Sequence, residues 1–520
     1  MPKDHLTRRS FLAAAAAGAG TIAASGTAAT LARAAAAAAG AGAPTATQWR
    51  ALRHSLAGTL VLPGEAAYAQ AKLVYDLRFE NATPAAVAYP RSTSDVQRLV
   101  DFARAHGLAP IPRCGGHSYA GYSTGSGLVI DVAKLGGVRV SGSRANVGAG
   151  TRLVDMYSAL AQHGVLVPGG SCPTVGISGL ALGGGIGVLG RKYGLTADAL
   201  SQLTVVTADG SALTANAGAH EDLYWASRGG GGRNFGIATS LHFKTRPLPA
   251  LAIFTLNYPW AAAGDLFGSW LGWIRNAPDE LWSNCLLLSA GSSGLIARTT
   301  GVYVGSTSAL ASLLAKLRSA IGTAPSSSSL SSATYLQAML IEAGCADITL
   351  AQCHVQAPGS AGTLPRTAFL AKSAYYAKPP PSAGISTVVN AISSFQHELP
   401  TLGGGFAFDS YGGAINAVAA AATAFVHRDA LCQMQMTASL GPSTPSSTVA
   451  SAQAWLNATA KSLAHHTNGQ AYQNYIDPTL ANWQHAYYGS NLARLRTVKA
   501  KYDPDNVFRF AQSIPLQAKP

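Results

Sequence analysis

The chain has 520 residues, 48% of them hydrophobic and 12% charged, with 56 Gly and 26 Pro. It is too long for one hydrophobic core and too apolar to remain disordered, so two substantial domains are expected. The net charge of +14 comes from 37 Lys and Arg against 23 Asp and Glu; these are scattered, with no basic stripe or stacking module, so no nucleic-acid partner is expected.

At the N-terminus, Arg8-Arg9-Ser10-Phe11-Leu12 precedes an Ala/Gly-rich apolar stretch from Ala13 to Ala32. This is the twin-arginine export pattern, with cleavage at Ala32-Arg33-Ala34 or within the Ala-rich stretch to Ala43. Residues 1–43 are read as a leader, and the mature chain as secreted or extracytoplasmic. The segment is too rich in Ala and Gly for a stable membrane anchor, and no later segment reaches the roughly 18 uninterrupted apolar residues of a membrane helix.

From there an α/β pattern begins. Val87-Ala88-Tyr89-Pro90 reads as a strand, Ser94-Asp95 as the cap of a helix through Ala105, and Pro110-Ile111-Pro112-Arg113 as a strand entering a Gly-rich turn. Leu128–Asp131 and Arg144–Gly148 read as strands, and Arg152–His163 as a helix closed by Gly164. Leu203–Thr207 reads as a strand entering a hairpin turn at Ala208-Asp209-Gly210. After Arg246-Pro247-Leu248-Pro249 the texture changes to amphipathic helices and strands, with surface loops expected at Pro325–Ser332 and Gly441–Ser447. The last fifty residues regain Tyr, Asn, Trp and Arg, which suggests a tail packed back on the first domain. Six Cys occur without C-x-x-C spacing, which argues against a zinc ribbon or a thioredoxin-like site, and no metal site is expected. Cys345 and Cys353 suit a short disulfide loop or two reduced, buried thiols equally well.

Two segments carry chemistry. In Arg113-Cys114-Gly115-Gly116-His117-Ser118-Tyr119, paired glycines permit close backbone approach, and successive amides can cradle an anion such as a diphosphate. In Gly169-Gly170-Ser171-Cys172-Pro173-Thr174-Val175-Gly176 and onward to Gly194 there are ten glycines, read as backbone lying against a flat ligand. Gly185-Ile186-Gly187-Val188-Leu189-Gly190 matches G-x-G-x-x-G, with Asp209 at a ribose-binding distance. The context rejects a dinucleotide site: no buried strand precedes the match, and Arg191-Lys192-Tyr193-Gly194 follows it.

The order and separation of these segments resemble the flavin domain of the vanillyl-alcohol-oxidase superfamily, with its PCMH-type FAD-binding domain, and specifically its berberine-bridge-enzyme-like, bicovalent FAD-linked oxidases. The C-terminal run from Tyr472-Gln473-Asn474-Tyr475-Ile476-Asp477 through Gln512-Ser513-Ile514-Pro515 is similar to that family's berberine-bridge segment. Together the resemblance spans about residues 75–250 and 405–516. It implies FAD bonded to His117 through a ring methyl and to Cys172 through a ring carbon. Cys114 is a rival thiol at a variable position of its motif. Further cofactor contacts are implied for Arg113, Gly115, Gly116 and Ser118 in the first loop, and for Thr174, Val175, Gly176, Gly179 and Gly184 in the second. Ile237 and Asn491 complete that set. Val175 stands where the family gates dioxygen, and a small residue there resembles the oxygen-reactive members.

The expected fold is α+β. Residues 70–248 form the FAD-binding domain, 249–465 a substrate domain of antiparallel sheet backed by helices, and 466–520 a C-terminal segment packing on the FAD domain. The resemblance implies hydride transfer from an alcohol carbon to FAD, with Tyr472 or Tyr475 as base. Gln435 occupies a position where some relatives carry Glu, and Asp409 and Tyr411 lie on a substrate-side strand. The implied partners are dioxygen and a small molecule, foremost an oligosaccharide oxidised at its reducing-end hydroxyl, then a glycosylated or polycyclic secondary metabolite. The alternatives are a flavin dehydrogenase and a secreted flavoprotein acting mainly as a binding module.

Overall fold

A computed structural model describes residues 42–516; the expected twin-arginine motif and apolar stretch lie outside the described residues. The chain is α+β. The apolar run Ala86–Tyr89 forms a central strand of a four-stranded sheet, parallel to Leu128–Asp131, which is parallel in turn to Pro110–Arg113. Pro110 and Pro112 lack the N–H of a central strand, and their strand lies at the sheet edge. It ends at Arg113, so the chain delivers Cys114–His117 at the carboxyl end of a parallel strand. The connecting helix is Thr93–Ala105, and its cap is Ser92, not Ser94: the Ser92 hydroxyl accepts from Asp95 N. Asp95 accepts instead from Ala57 N and Arg91 N, tying the N-terminal segment to the helix.

A second, five-stranded antiparallel sheet runs Val138–Ser141, Arg144–Gly148, Ile237–Lys244, Leu200–Val206, Ala212–Asn216. Asp209 makes the hairpin turn between the last two, accepting from Thr207 Oγ1 at 2.7 Å and Ser211 N at 3.1 Å. Against it lies helix Leu153–Gln162. Its N-terminal amides would be orphans, and they donate to the second glycine-rich loop: Leu153 N to Val175 O and Val154 N to Pro173 O, both at 3.0 Å.

Residues between Leu251 and Leu440 build a seven-stranded antiparallel sheet in the order Ser327–Ala333, Leu251–Tyr258, Leu295–Val304, Leu281–Ala290, Gly403–Ser410, Cys432–Leu440, Ala368–Tyr376. The alternation along Cys432–Met436 sets its two faces. Phe408, Met434 and Met436 join the buried core with helices Ala263–Arg275, Thr307–Ile321, Ser382–Glu398 and Ser446–Leu463. Asp409 and Gln435 turn the other way, toward the four- and five-stranded sheets. The stretch Pro325–Ser332 is not a loop. Ser327–Ala333 pairs with the open edge of Leu251–Asn257, and that pairing overrides the weak strand preference of serine. Among the described residues no helix is long and apolar enough to cross a membrane.

The last fifty described residues pack on the first domain. Lys499, fully buried, donates to Asp503 at 2.6 Å and to the carbonyls of Asn234 and Phe508. Tyr488 donates to Gly230 O, and Ile514 N donates to Asn234 Oδ1.

Candidate active site

One cavity lies between the two glycine-rich loops, the C-terminal tail and the polar face of the seven-stranded sheet. His117 and Cys172 both line it. The His117 ring stacks on Tyr75 with centroids 3.9 Å apart, and its Nε2 lies 2.9 Å from Thr174 Oγ1, two residues beyond Cys172. Glycine is obligatory where the loops touch. A Cβ on Gly115 would stand 2.5 Å from Gly176 N, and one on Gly176 would stand 1.9 Å from Cys114 Sγ. Cys114 is packed into that seam, with Sγ 3.1 Å from Ala149 O, and burial pushes its thiol pKa up.

The ten glycines do not all face a ligand. Gly170, Gly176, Gly179 and Gly187 line the cavity. Others instead accommodate protein atoms: a Cβ on Gly183 would meet Asn474, on Gly184 Phe425, and on Gly185 Thr196. Gly184 thus lies outside the cavity wall. Asn491 also lies elsewhere, donating to the carbonyls of Ala420 and Thr423 and so pinning the loop before the strand Cys432–Leu440. Arg113 reaches the wall, but its guanidinium is taken up by Asp131 at 2.7 Å and by Ala71 O at 2.6 Å. Gly116, Ser118, Val175 and Ile237 line the cavity, with Ser118 Oγ accepting from Tyr122 N.

The polar face adds the rest. Tyr472 is buried, and its hydroxyl oxygen accepts from Gly185 N at 3.0 Å, Ile186 N at 3.4 Å and Asn474 Nδ2 at 2.9 Å. Converging donors stabilise a charged phenolate over a neutral phenol. Tyr475 stands edge-on to Tyr472 at 4.9 Å and stacks on Tyr119 at 5.2 Å. Gln435 Nε2 donates to Tyr119 Oη at 2.9 Å, and Phe369 packs edge-on to the same ring. Asp409, Tyr411 and Trp282 close the far wall. Tyr411 lies 3.2 Å from Tyr375 across their hydroxyls, and burial holds both phenols well above their usual range. Sequence reading overlooked Tyr119, Trp282 and Phe369, whose cavity role arises from long-range packing. It also overlooked Arg233, although the glycine run before it was a visible signal.

A cavity walled by glycine-rich backbone, beside a histidine and a thiol, suits a flavin. Family models agree: "FAD binding domain" matches residues 84–216 and "Berberine and berberine like" matches residues 471–515. An uncharacterised FAD-linked oxidoreductase of Bacillus subtilis is 32% identical over 468 residues, 88% of this chain and 97% of that protein. A xylooligosaccharide oxidase of Thermothelomyces thermophilus is 29% identical, over 83% of this chain and 87% of its own. Among solved structures, BBE-like 1 of Physcomitrella patens superposes with a TM-score of 0.82 at 32% identity, covering 91% of this chain and 100% of that one. The chain therefore belongs to the berberine-bridge-like family of FAD-linked oxidoreductases.

Proposed function

We propose that this enzyme is an exported oxidase that holds FAD through covalent bonds to His117 and Cys172 and oxidises an alcohol carbon of an oligosaccharide, at its reducing-end hydroxyl. Bound FAD would supply the hydride acceptor, with dioxygen as the final oxidant and hydrogen peroxide as its product. The observation that carries the reading is the environment of Tyr472. Two backbone amides and the Asn474 amide converge on its oxygen, within the cavity that His117 and Cys172 also line.

Tyr472 takes the proton of the substrate hydroxyl, and its three donors hold the charge it would carry as phenolate before that transfer. Tyr475, packed against Tyr119 and outside that donor set, forms a wall. Aromatic faces from Trp282, Phe369 and Tyr475, with polar groups from Asp409 and Gln435 between them, suit the apolar faces and hydroxyl edges of a sugar. The oligosaccharide oxidases among the relatives support the same substrate class. Val175, small and on the cavity wall, leaves dioxygen a path to the flavin. The twin-arginine pattern supports export.

Anaerobic rapid mixing with a substrate identified by a peroxide screen tests the assignment. Tyr472→Phe is expected to slow flavin reduction by about 10²–10⁴-fold, the usual worth of a positioned base. Tyr475→Phe is expected to keep the reduction rate and alter KM. Wild-type reduction by Tyr472→Phe would overturn the role given to Tyr472.

A further inference from the structure

The outer strand of the seven-stranded sheet is Ser327–Ala333, which pairs with Leu251–Asn257 on one side. Among the described residues, no strand pairs with its other side, and Ser327–Ser332 are exposed throughout. An open edge offers a row of amide and carbonyl groups to a further strand, and proteins usually guard it with lysines, prolines, a bulge or a very short strand. This strand has none of these. It is seven residues long, it runs against its neighbour without a register shift, and residues 319–341 contain no Asp, Glu, Lys or Arg.

Leu330 stands at the centre of the strand, 38% exposed, the exposed large hydrophobic side chain among the described residues. Its register partner is Phe254, whose ring packs edge-on to Trp273 of the helix Ala263–Arg275, so Leu330 carries the apolar, helix-covered face out to the open edge. Outward from Leu330 the sequence is nearly symmetric: Ser329 matches Ser331, Ser328 matches Ser332, and Ser327 is answered by the equally small Ala333. Such a strand complements its own copy. A two-fold axis at Leu330 sets Leu330 against Leu330 and each inner serine against a serine, where hydroxyls exchange hydrogen bonds across the pair. Charge selects the same occupant. The chain carries a formal charge of +14, so copies meeting elsewhere bring like charges together, whereas this edge brings none; an acidic partner finds no cation on the strand to pair with.

We propose that Ser327–Ala333 is a self-association edge: two copies of the chain join by antiparallel pairing of this strand about a two-fold axis at Leu330, making one sheet that runs through both molecules. The axis stands normal to the sheet, so both copies present their cavity-bearing faces to the same side. The contact is one strand wide, smaller than a standard interface, so association depends on concentration. No residue of Ser327–Ala333 lines the cavity, so the edge can be altered without touching the site.

Sedimentation velocity of the purified full-length protein over a concentration series tests it, with near-ultraviolet dichroism as the check on folding. Wild type is expected to shift from monomer to dimer as concentration rises, and Leu330→Lys to stay monomeric with unchanged dichroism. Should Leu330→Lys fail to accumulate as folded protein, Ser331→Lys on the same exposed strand carries the test. Oxidative crosslinking reads the register: Leu330→Cys is expected to link to its own copy, and Ser328→Cys to link only when mixed with Ser332→Cys, with wild type as the control for the native thiols. Wild type that stays monomeric at every concentration would overturn the proposal. A dimer that both lysine variants leave intact, or Ser328→Cys linking to itself as readily as Leu330→Cys does, would overturn it equally, by placing the interface elsewhere or at another register.

Discussion

Gly176 caps the short helix Ile177–Leu182 and Gly179 lies inside it, and the two differ in what a methyl group would meet. At Gly176 an added Cβ stands 1.9 Å from Cys114 Sγ, whereas at Gly179 no protein atom lies within 4 Å. Gly176→Ala is therefore expected to destabilise the fold by about 1–3 kcal/mol of overpacking strain, read as a lower melting temperature, while apoprotein carrying Gly179→Ala, inside a helix and with room for the methyl, melts at or slightly above wild type. Equal melting temperatures for the two would contradict the seam between the loops. His427 offers a test through pH. It is fully buried, stacks on Tyr375, and has Nδ1 2.7 Å from Gln470 and Nε2 3.3 Å from Gln473. Gln473 Nε2 donates to Gly229 O, so the Gln473 carbonyl oxygen faces the ring. Burial lowers the pKa of this histidine to about 4. The unfolded chain binds the proton below about pH 6.5, so the contribution is full above that pH and is lost as pH falls toward 4, by about 3 kcal/mol. Urea unfolding of wild type and His427→Gln at pH 7 and 4.5 reads it: the wild-type slope with pH exceeds that of the variant, and identical slopes would contradict the assignment.

At the scale of elements, the outer support of the Cys172 loop is a disulfide. Cys345 and Cys353 are bonded and pack with Leu364 against Val154 of the helix Leu153–Gln162, whose N-terminus holds Pro173 and Val175. His354 in the same loop lies 3.1 Å from Asp155 of that helix, and the bond to Asp155 raises its pKa. Reduction, or Cys345→Ser with Cys353→Ser, is expected to remove about 2–3 kcal/mol, read as a lower melting temperature and easier thiol labelling at Cys172 in apoprotein. No change in either would separate the disulfide from the loop. Such couplings were only partly legible in the sequence. The position of Gln435 was legible only through family resemblance, and Ser327–Ala333, expected as part of a loop, is a strand because an open edge lies beside it. The His117 and Cys172 segments were legible because glycine spacing is local. Arg233 was missed although the glycine run before it is visible, since its partner Tyr122 is 111 residues away.

Across the whole molecule, three structural layers meet at one cavity: the parallel strand that ends at Arg113, the helix-held loop at Cys172, and the polar face of a seven-stranded sheet. The C-terminal tail locks the glycine run that carries Arg233 and contributes Tyr472 and Tyr475. Neither domain alone contains the site, so the covalent attachment proposed for His117 and Cys172 depends on the complete fold. The direct measurement is acid precipitation of the purified protein, followed by the absorbance of pellet and supernatant. Yellow colour retained by the polypeptide in wild type, in His117→Ala and in Cys172→Ala, and lost only in the double variant, is the result expected for two bonds. FAD released quantitatively from the wild-type protein would contradict the account.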